Sequence, residues 1–206
     1  MIEHFNFHES WVPIVKPAIE SQDFLRVLKR IQSGKVTPHP TQMFRAFEMP
    51  LSEVRLVFLG QDPYPQPGVA TGLAFASKEM TPSLQIMLEE LEKTPDFNEF
   101  LFFQNTELLH WERQGILLLN SALTTYEGRS GTNSEWHPVM QSILDNMPPK
   151  IFVKFGKKAQ LFRTKGISLQ FAHPAADTYG DKKLFRGSNC FNLINKHLSK
   201  KIKWDA

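Results

Sequence analysis

The chain has 206 residues, of which 41% are hydrophobic and 22% are charged. This composition is ordinary for a folded soluble chain and argues against disorder and against a membrane protein, so one domain over 1–206 is expected. The single cysteine, Cys190, excludes an internal disulfide and a metal centre built from several thiolates, and it predicts an intracellular, cytoplasmic protein. The net charge of +3 is compatible with a nucleic-acid partner without requiring one.

Helical and strand-like segments alternate along the chain. Apolar residues of 24–31 have helical spacing behind Ser21, a candidate N-cap, whereas 54–59 (VRLVFL) is a short apolar strand. The segment 60–77 contains too many prolines and glycines for a regular element. In chain order, the predicted elements are a helix at 24–31, a turn at 37–40, a short helix at 43–47, a strand at 54–59, a helix at 82–91, a strand at 115–119, a helix at 136–147, a strand at 151–155, a helix at 157–163, a strand at 168–172 and a helix at 189–198.

Strands separated by helix-length stretches indicate βαβ units and a parallel sheet. The predicted fold class is α/β, a three-layer α/β/α arrangement with a central, mostly parallel four-stranded sheet. Asp62, Asn120, Lys157 and His173 each lie just past the end of a predicted strand. Because the carboxyl ends of parallel strands meet at one edge of a sheet, we expect a ligand crevice there that brings Asp62, Asn120 and His173 together.

The string GQDPYP at 60–65 is the most specific motif of the chain. It places a carboxylate on a proline-stiffened loop beside an aromatic ring, and the nearby Gly68 and Gly72 permit sharp turns and a close approach of the backbone to a ligand. The string resembles the water-activating loop of the family 1 uracil-DNA glycosylases, which reads GQDPYH. Further matches keep the order of that family: GLAF at 72–75, PSL at 82–84, LLLN at 117–120, FGKKAQ at 155–160 and HP at 173–174.

The resemblance implies a uracil-DNA glycosylase of base-excision repair, which flips deoxyuridine out of DNA, hydrolyses its N-glycosidic bond and leaves an abasic site. Asp62 would activate the attacking water and stabilise positive charge on the deoxyribose, and His173 would donate a hydrogen bond to uracil O2 as the base departs. Neither a metal nor a cofactor is implied. The implied partners are single- or double-stranded uracil-containing DNA and, as candidates, DNA-mimicking inhibitor proteins; a monomer without a membrane partner is expected.

Four further residues are implied to select the base. Asn120 would read the uracil edge, since one amide supplies both the acceptor for N3–H and the donor for O4. Phe75 would stack on the base, Tyr64 would occupy the space that the 5-methyl group of thymine needs, and Gln61 would help to line the pocket. Uracil would then be accepted by its hydrogen-bond pattern together with a steric block.

The DNA-binding residues follow the family less closely. Ser77 and Ser83 are candidate phosphate contacts, and Lys157 stands where the family usually has serine. Pro65 replaces the histidine that usually follows the tyrosine, and 175–180 (AADTYG) replaces a segment that usually carries a phosphate-binding serine and the leucine that fills the emptied duplex. Candidate replacements are Tyr179, Leu184 or Phe185 as the wedge, with Lys182, Lys183 and Arg186 near phosphates.

Each of these residues also has a structural interpretation. Asp62 before proline is a common turn starter, His173 and Phe75 are compatible with a packed core, and Asn120 is a capping type, as are both serines. Two other functions are compatible with the motifs: a catalytically weakened DNA-binding or replication accessory protein, and a glycosylase of different base specificity. The carboxylate, amide and imidazole together argue against the first, and Tyr64 argues against the second.

Overall fold

Four short apolar strands form the central sheet of the computed structural model, which describes residues 5–95, 97–131, 134–178 and 183–205. The six strands of these ranges are β1 (Val36–Thr37), β2 (Leu56–Gly60), β3 (Ile116–Asn120), β4 (Thr125–Tyr126), β5 (Lys150–Phe155) and β6 (Gly166–Phe171). The helices are α1 (Val12–Ile19), α2 (Gln22–Gln32), α3 (Pro82–Leu91), α4 (Glu99–Phe103), α5 (Leu109–Glu112), α6 (Trp136–Asn146), α7 (Lys157–Gln160) and α8 (Cys190–Lys196).

The central sheet is parallel throughout, with the strand order β3-β2-β5-β6. Strands β2 and β3 are buried along their whole length, which is why both read as uninterrupted apolar runs rather than alternating patterns. The chain passes from β2 to β3 on one side and then to β5 on the other side, so the strand order reverses at β2. Such a reversal opens a crevice at the carboxyl ends of the strands. The predicted α/β three-layer fold is confirmed.

Most aromatic side chains lie in two clusters that pack the helices. The first joins β2 and β5 to α5 and α8, where the Phe58 ring lies 5.6 Å from Trp111 and 5.0 Å from Phe155, both edge to face. The second joins α2 and α6, where Phe24 lies 6.0 Å from Trp136. These rings are fully buried, so they stabilise the layers rather than form a stacking surface.

Helix α2 is capped as predicted, since the Ser21 hydroxyl accepts a hydrogen bond from the Phe24 amide. The predicted helix at 157–163 is wrong in its extent, because α7 ends at Gln160. Beyond that point the Phe162 carbonyl accepts from the buried Lys154 ammonium at 2.7 Å and the Arg163 amide donates to the side chain of Gln141 at 3.0 Å. Both backbone groups are therefore taken by side chains rather than by a continuing helix.

Other differences concern elements with weak sequence signals. Thr37, predicted as the first residue of a turn at 37–40, instead belongs to a two-stranded antiparallel sheet, in which β1 pairs with β4. Helix α1 was not predicted, since it contains Pro13 in its first turn and Pro17 in its interior. The longest helices, α2 and α6, have 11 residues each, and no helix within the described ranges is long and apolar enough to cross a membrane.

Candidate active site

A cavity of about 510 Å³ opens at the carboxyl ends of β2, β3 and β6. Asp62, Asn120 and His173 line it together, although 111 residues separate the first from the last in the sequence. The other predicted base-contacting residues, Gln61, Tyr64 and Phe75, and one predicted phosphate contact, Ser83, also line this cavity. The strand-end residues predicted to meet are thus placed around one space.

Backbone hydrogen bonds fix the loop of Asp62 to the end of β3. The Ser121 amide donates to the carbonyl of Gly60 at 3.0 Å, and the carbonyl of Gln61 accepts from the Ala122 amide at 3.1 Å and from the Ser121 hydroxyl at 2.9 Å. Gly60 lies opposite Asn120 in the sheet, and a Cβ at position 60 would lie 2.6 Å from Asn120 Oδ1. Glycine is needed there because any side chain would displace the Asn120 amide.

The Asp62 carboxylate is nearly enclosed, with 7% of its side chain exposed. Its Oδ2 accepts hydrogen bonds from Gln61 Nε2 at 3.0 Å and from the Gly131 amide at 2.8 Å. The ammonium of Lys158 lies 3.9 Å from the same oxygen. Three donors or charges directed at one oxygen hold the carboxylate in a single orientation.

His173 presents a neutral imidazole to the cavity. Its Nδ1 accepts a hydrogen bond from the Ala175 amide at 3.2 Å, which assigns the ring proton to Nε2. Burial lowers the pKa of His173 to about 4, although the negative charge of Asp62 acts in the opposite direction. Gly156 has a φ of +86°, and a Cβ there would lie 2.9 Å from that of His173, so this glycine allows β5 and the histidine to come close.

Phe75 and Tyr64 form a rigid wall of the cavity. Phe75 has a left-handed backbone with a φ of +65°, which is uncommon for an aromatic residue, and its ring lies 5.5 Å from the His173 ring. The Tyr64 hydroxyl donates to the Phe75 carbonyl at 3.0 Å and lies 2.8 Å from the hydroxyl of Thr81, which caps α3. Burial raises the pKa of Tyr64 to about 12, so the phenol is neutral and its hydroxyl stays hydrogen-bonded to Phe75 and Thr81.

The amide of Asn120 is available for a ligand. The residue is 7% exposed and lines the cavity. A primary amide carries both an acceptor oxygen and a donor nitrogen. The side chain can therefore bind one edge of a ligand that offers a donor beside an acceptor.

The predicted phosphate contacts are placed in different surroundings. Ser77 is buried and its hydroxyl accepts from the Glu79 amide at 3.2 Å, as expected for a turn cap, whereas Lys157 is exposed at the first residue of α7. Arg186 is paired through its guanidinium with Glu89. Two further candidates, Tyr179 and Lys182, lie outside the described residues.

A buried carboxylate organises the segment after His173. Oxygens of Asp177 accept hydrogen bonds from three consecutive amides, those of Leu184 at 2.5 Å, Phe185 at 2.9 Å and Arg186 at 2.8 Å. Burial opposes the ionisation of Asp177, but these hydrogen bonds and the Arg186 charge outweigh it and lower its pKa. The segment 184–186 is thereby fixed to the turn that begins at Pro174.

This arrangement separates the wedge candidates. Phe185 is fully buried and its ring lies 6.2 Å from Phe155, so the prediction that it could serve as the wedge is wrong for this conformation. Leu184 is 56% exposed on a backbone that Asp177 holds in place. Among the described candidates, Leu184 therefore has the exposure that a wedge requires.

Sequence reasoning did not find three residues that shape the site. Gly131 and Lys158 both act on Asp62, and Asp177 fixes the backbone of 184–186. Lys158 is within the string FGKKAQ, which matches the family, and Asp177 is within the string AADTYG, which does not. The motifs therefore include both positions but do not indicate their roles. Gly131 lies in a polar stretch whose proximity to Asp62 no local pattern signals.

A carboxylate, an amide and a neutral imidazole line one cavity at the carboxyl-end edge of a parallel sheet, which is the arrangement expected of an α/β glycosylase. A family model described as the uracil DNA glycosylase superfamily matches residues 47–199. The chain belongs to that superfamily. Its activity is that of a uracil-DNA glycosylase, and the function predicted from the motifs is confirmed.

Curated relatives agree with this assignment, and solved structures share the fold. The uracil-DNA glycosylase of Lactococcus lactis subsp. lactis (strain IL1403) is 35% identical with 81% of each chain covered, and that of Borrelia turicatae (strain 91E135) is 32% identical with 95% of each covered. The mimivirus uracil-DNA glycosylase has the same fold, with a TM-score of 0.77 at 23% identity over 97% of this chain and 87% of that one. A variant of the mimivirus protein in complex with UGI has a TM-score of 0.78 at 24% identity, over 97% of this chain and 89% of that one.

Proposed function

We propose that this chain is a family 1 uracil-DNA glycosylase in which Asp62 and His173 carry out the hydrolysis. The observation that carries the proposal is the meeting of Asp62, His173 and the amide of Asn120 in one cavity. Its volume of about 510 Å³ is sufficient for a pyrimidine and part of its sugar. The chain is proposed to act as a monomer on uracil-containing DNA in either strand form.

The bond that breaks joins N1 of uracil to C1′ of the deoxyribose, and its electron pair leaves with the base. The sugar becomes oxocarbenium-like, so the carboxylate of Asp62 stabilises it, orients the water whose oxygen bonds to C1′ and accepts the proton that this water loses. The departing uracil gains negative charge on O2, to which Nε2–H of His173 donates. A histidine whose pKa is about 4 is already neutral at physiological pH and needs no proton transfer to fill this role.

Base selection follows from groups whose positions are fixed. The Asn120 amide is complementary to N3–H and O4 of uracil, whereas cytosine has an unprotonated N3 and an amino group at the corresponding positions. Binding cytosine would leave buried polar groups unpaired, which is unfavourable. The Tyr64 ring, fixed through Phe75 and Thr81, excludes the methyl group of thymine. Phe75 offers its ring to the base and Gln61 lines the cavity.

The base must leave the duplex before it can enter the cavity, at a cost of a few kcal/mol. We propose that Leu184 fills the emptied position, because it is the exposed apolar residue on the backbone that Asp177 holds. Lys157 and Ser83 are proposed to contact phosphates. Ser77, Tyr179 and Arg186 stay predictions for this role.

The proposal is tested with Asp62→Asn, which keeps the shape of the side chain and removes its charge. We expect the single-turnover rate of uracil release to fall by roughly 10²–10⁴-fold, the range for a positioned acid or base, with DNA affinity nearly unchanged. Asp23→Asn is the matched control, since Asp23 lies on the surface of α2 in an exposed ion pair with Arg26. An Asp62→Asn variant as fast as the unmodified chain would contradict the assignment.

A further inference from the structure

The segment 127–131 passes over the Asp62 carboxylate, and we refer to it as the strap. It is anchored along its length: the Gly128 amide donates to the Pro65 carbonyl at 2.8 Å, and the Arg129 carbonyl accepts from the hydroxyl of Thr125 at 2.7 Å. At its end, the Gly131 amide donates to Asp62 Oδ2 at 2.8 Å. The strap therefore connects β4 and the loop of Pro65 to the carboxylate.

Lys158 on α7 closes this arrangement from the other side. Its ammonium donates to the Gly131 carbonyl at 2.9 Å and lies 3.9 Å from Asp62 Oδ2. Gly131 has a φ of +78°, a conformation that favours glycine, and a Cβ there would lie 3.0 Å from Lys158 Nζ. Both polar groups of one glycine thus serve the site: the amide binds the carboxylate and the carbonyl binds the lysine.

We propose that Lys158 is a positioning residue for the hydrolysis, which acts by holding the strap so that Gly131 fixes the orientation of the Asp62 carboxylate. The inference rests on the proposed catalytic role of Asp62. Pro65, the residue after Tyr64, offers the carboxylate neither a polar side chain nor an amide proton. The strap supplies a donor to it from a different part of the chain, and Lys158 holds the strap.

Lys158 is proposed to act on Asp62 by holding the strap in place rather than by the attraction of its charge for the carboxylate. The Lys158 side chain is 46% exposed, so solvent and salt screen its attraction for Asp62 at 3.9 Å. The hydrogen bond to Gly131 does not depend on that attraction and constrains the strap directly. A small displacement of a reacting group lowers the reaction rate strongly, since the effective molarity depends on near-ideal geometry.

Lys158 could instead contact a DNA phosphate, since it follows Lys157 on α7. The two roles make different predictions. A phosphate contact raises affinity and its removal lessens the salt dependence of binding, whereas a positioning residue changes the rate with bound DNA. The distinguishing measurements are therefore the single-turnover rate at saturating DNA and the Kd at two salt concentrations.

The experiment compares Lys158→Gln, Lys158→Arg and Lys165→Gln. Lys165 is an exposed lysine that directly precedes β6, at the end of the strands away from the cavity. We expect Lys158→Gln to lower the saturated single-turnover rate about tenfold with an unchanged Kd, because the carboxylate is less well oriented. Lys158→Arg should restore most of the rate, and Lys165→Gln should behave as the unmodified chain. Gly131→Ala should lower the rate in the same way, since its side chain crowds the ammonium and its φ is strained.

A double variant separates this inference from the proposed function. If Lys158 acts through Asp62, the Asp62→Asn/Lys158→Gln pair should be no slower than Asp62→Asn alone. An unchanged rate in Lys158→Gln, a loss confined to Kd and its salt dependence, or losses that multiply in the double variant would each overturn the positioning role. Full activity in Asp62→Asn would overturn the proposed function as well, so the two failures are distinguishable.

Discussion

The strand ends around the cavity and the segments 174–178 and 183–189 are held in shape by different interactions. Around the cavity, the ends of β2 and β3 are joined by backbone hydrogen bonds and short polar side chains, such as those from Ser121 to the carbonyl of Gln61. In the segments 174–178 and 183–189, buried carboxylates bind backbone amides, one of them 7–9 positions away and the other 97–99 positions away. Asp177 binds the amides of 184–186, and Glu90 on α3 binds the amides of Gly187 at 2.7 Å and Asn189 at 2.6 Å.

The comparison shows why one region matches the family motifs and the other departs from them. The cavity has to fit one base, so its residues are fixed by the chemistry of that base. The segments 174–178 and 183–189 have only to present an exposed apolar side chain beside the cavity, and a carboxylate that binds amides achieves this without the usual motif. Catalysis and duplex opening should therefore be separable by mutation.

After Asp62→Asn, the largest effect is expected for another residue of the cavity, in the variant His173→Ala. Removing a donor to a developing anion costs about 10²–10³-fold in rate, and the loss should be the same on single- and double-stranded DNA. His197→Ala is the control, because His197 is exposed at the end of α8. A loss seen only on duplex DNA would assign His173 to strand opening instead and would contradict the separation of catalysis in the cavity from duplex opening.

The pH profile checks the protonation state of His173. Since burial lowers its pKa to about 4, the ring stays neutral down to mildly acidic pH and the histidine should contribute no inflection near 6.5. Protonation on approaching pH 4 would put a proton on Nδ1, which faces the Ala175 amide, and would disrupt the loop. An inflection near 6.5 that disappears in His173→Ala would contradict the buried neutral imidazole.

A smaller and more selective effect is expected for Leu184→Ala. The variant should excise uracil from single-stranded DNA at the normal rate and from duplex DNA about tenfold more slowly, because a wedge offsets part of the cost of unstacking. Leu161→Ala is the matched control, since Leu161 is also an exposed leucine but lies at the end of α7. Equal rates on both strand forms in Leu184→Ala would leave the wedge role without support.

Asp177→Ala should give the same selective loss, since it frees the amides of 184–186. The lowered pKa of Asp177 means that this carboxylate stabilises the fold above its ordinary pKa and loses that effect only as the pH falls through the lowered value. The segment is therefore fixed throughout the pH range of an excision assay. A loss on single-stranded DNA as large as that on duplex DNA would show that the segment also shapes the cavity.

The sequence was sufficient for those parts of the molecule in which local pattern and function coincide. Buried strands are short apolar runs, so β2, β3 and β5 and the polar residues after them could be placed from the sequence. The Gly131–Lys158 contact and the Asp177 carboxylate could not, because they join residues that are distant or unremarkable in sequence. Arg186 shows most directly what the sequence does not reveal. Its position suggests a phosphate contact, but in the structure its guanidinium is paired with Glu89.

The smallest effect, and the one that sharpens the description of the cavity, is expected for Tyr64→Ala. Without the ring, thymine should enter and be excised slowly because Asn120 reads an edge that thymine and uracil share, while cytosine stays excluded by its different edge. Tyr64→Phe is the matched control: it keeps the ring but loses the hydrogen bonds to Phe75 and Thr81. Exclusion of thymine by both variants would show that the methyl group is rejected elsewhere. Admission by both would show that the ring excludes thymine only while its hydroxyl holds it between Phe75 and α3.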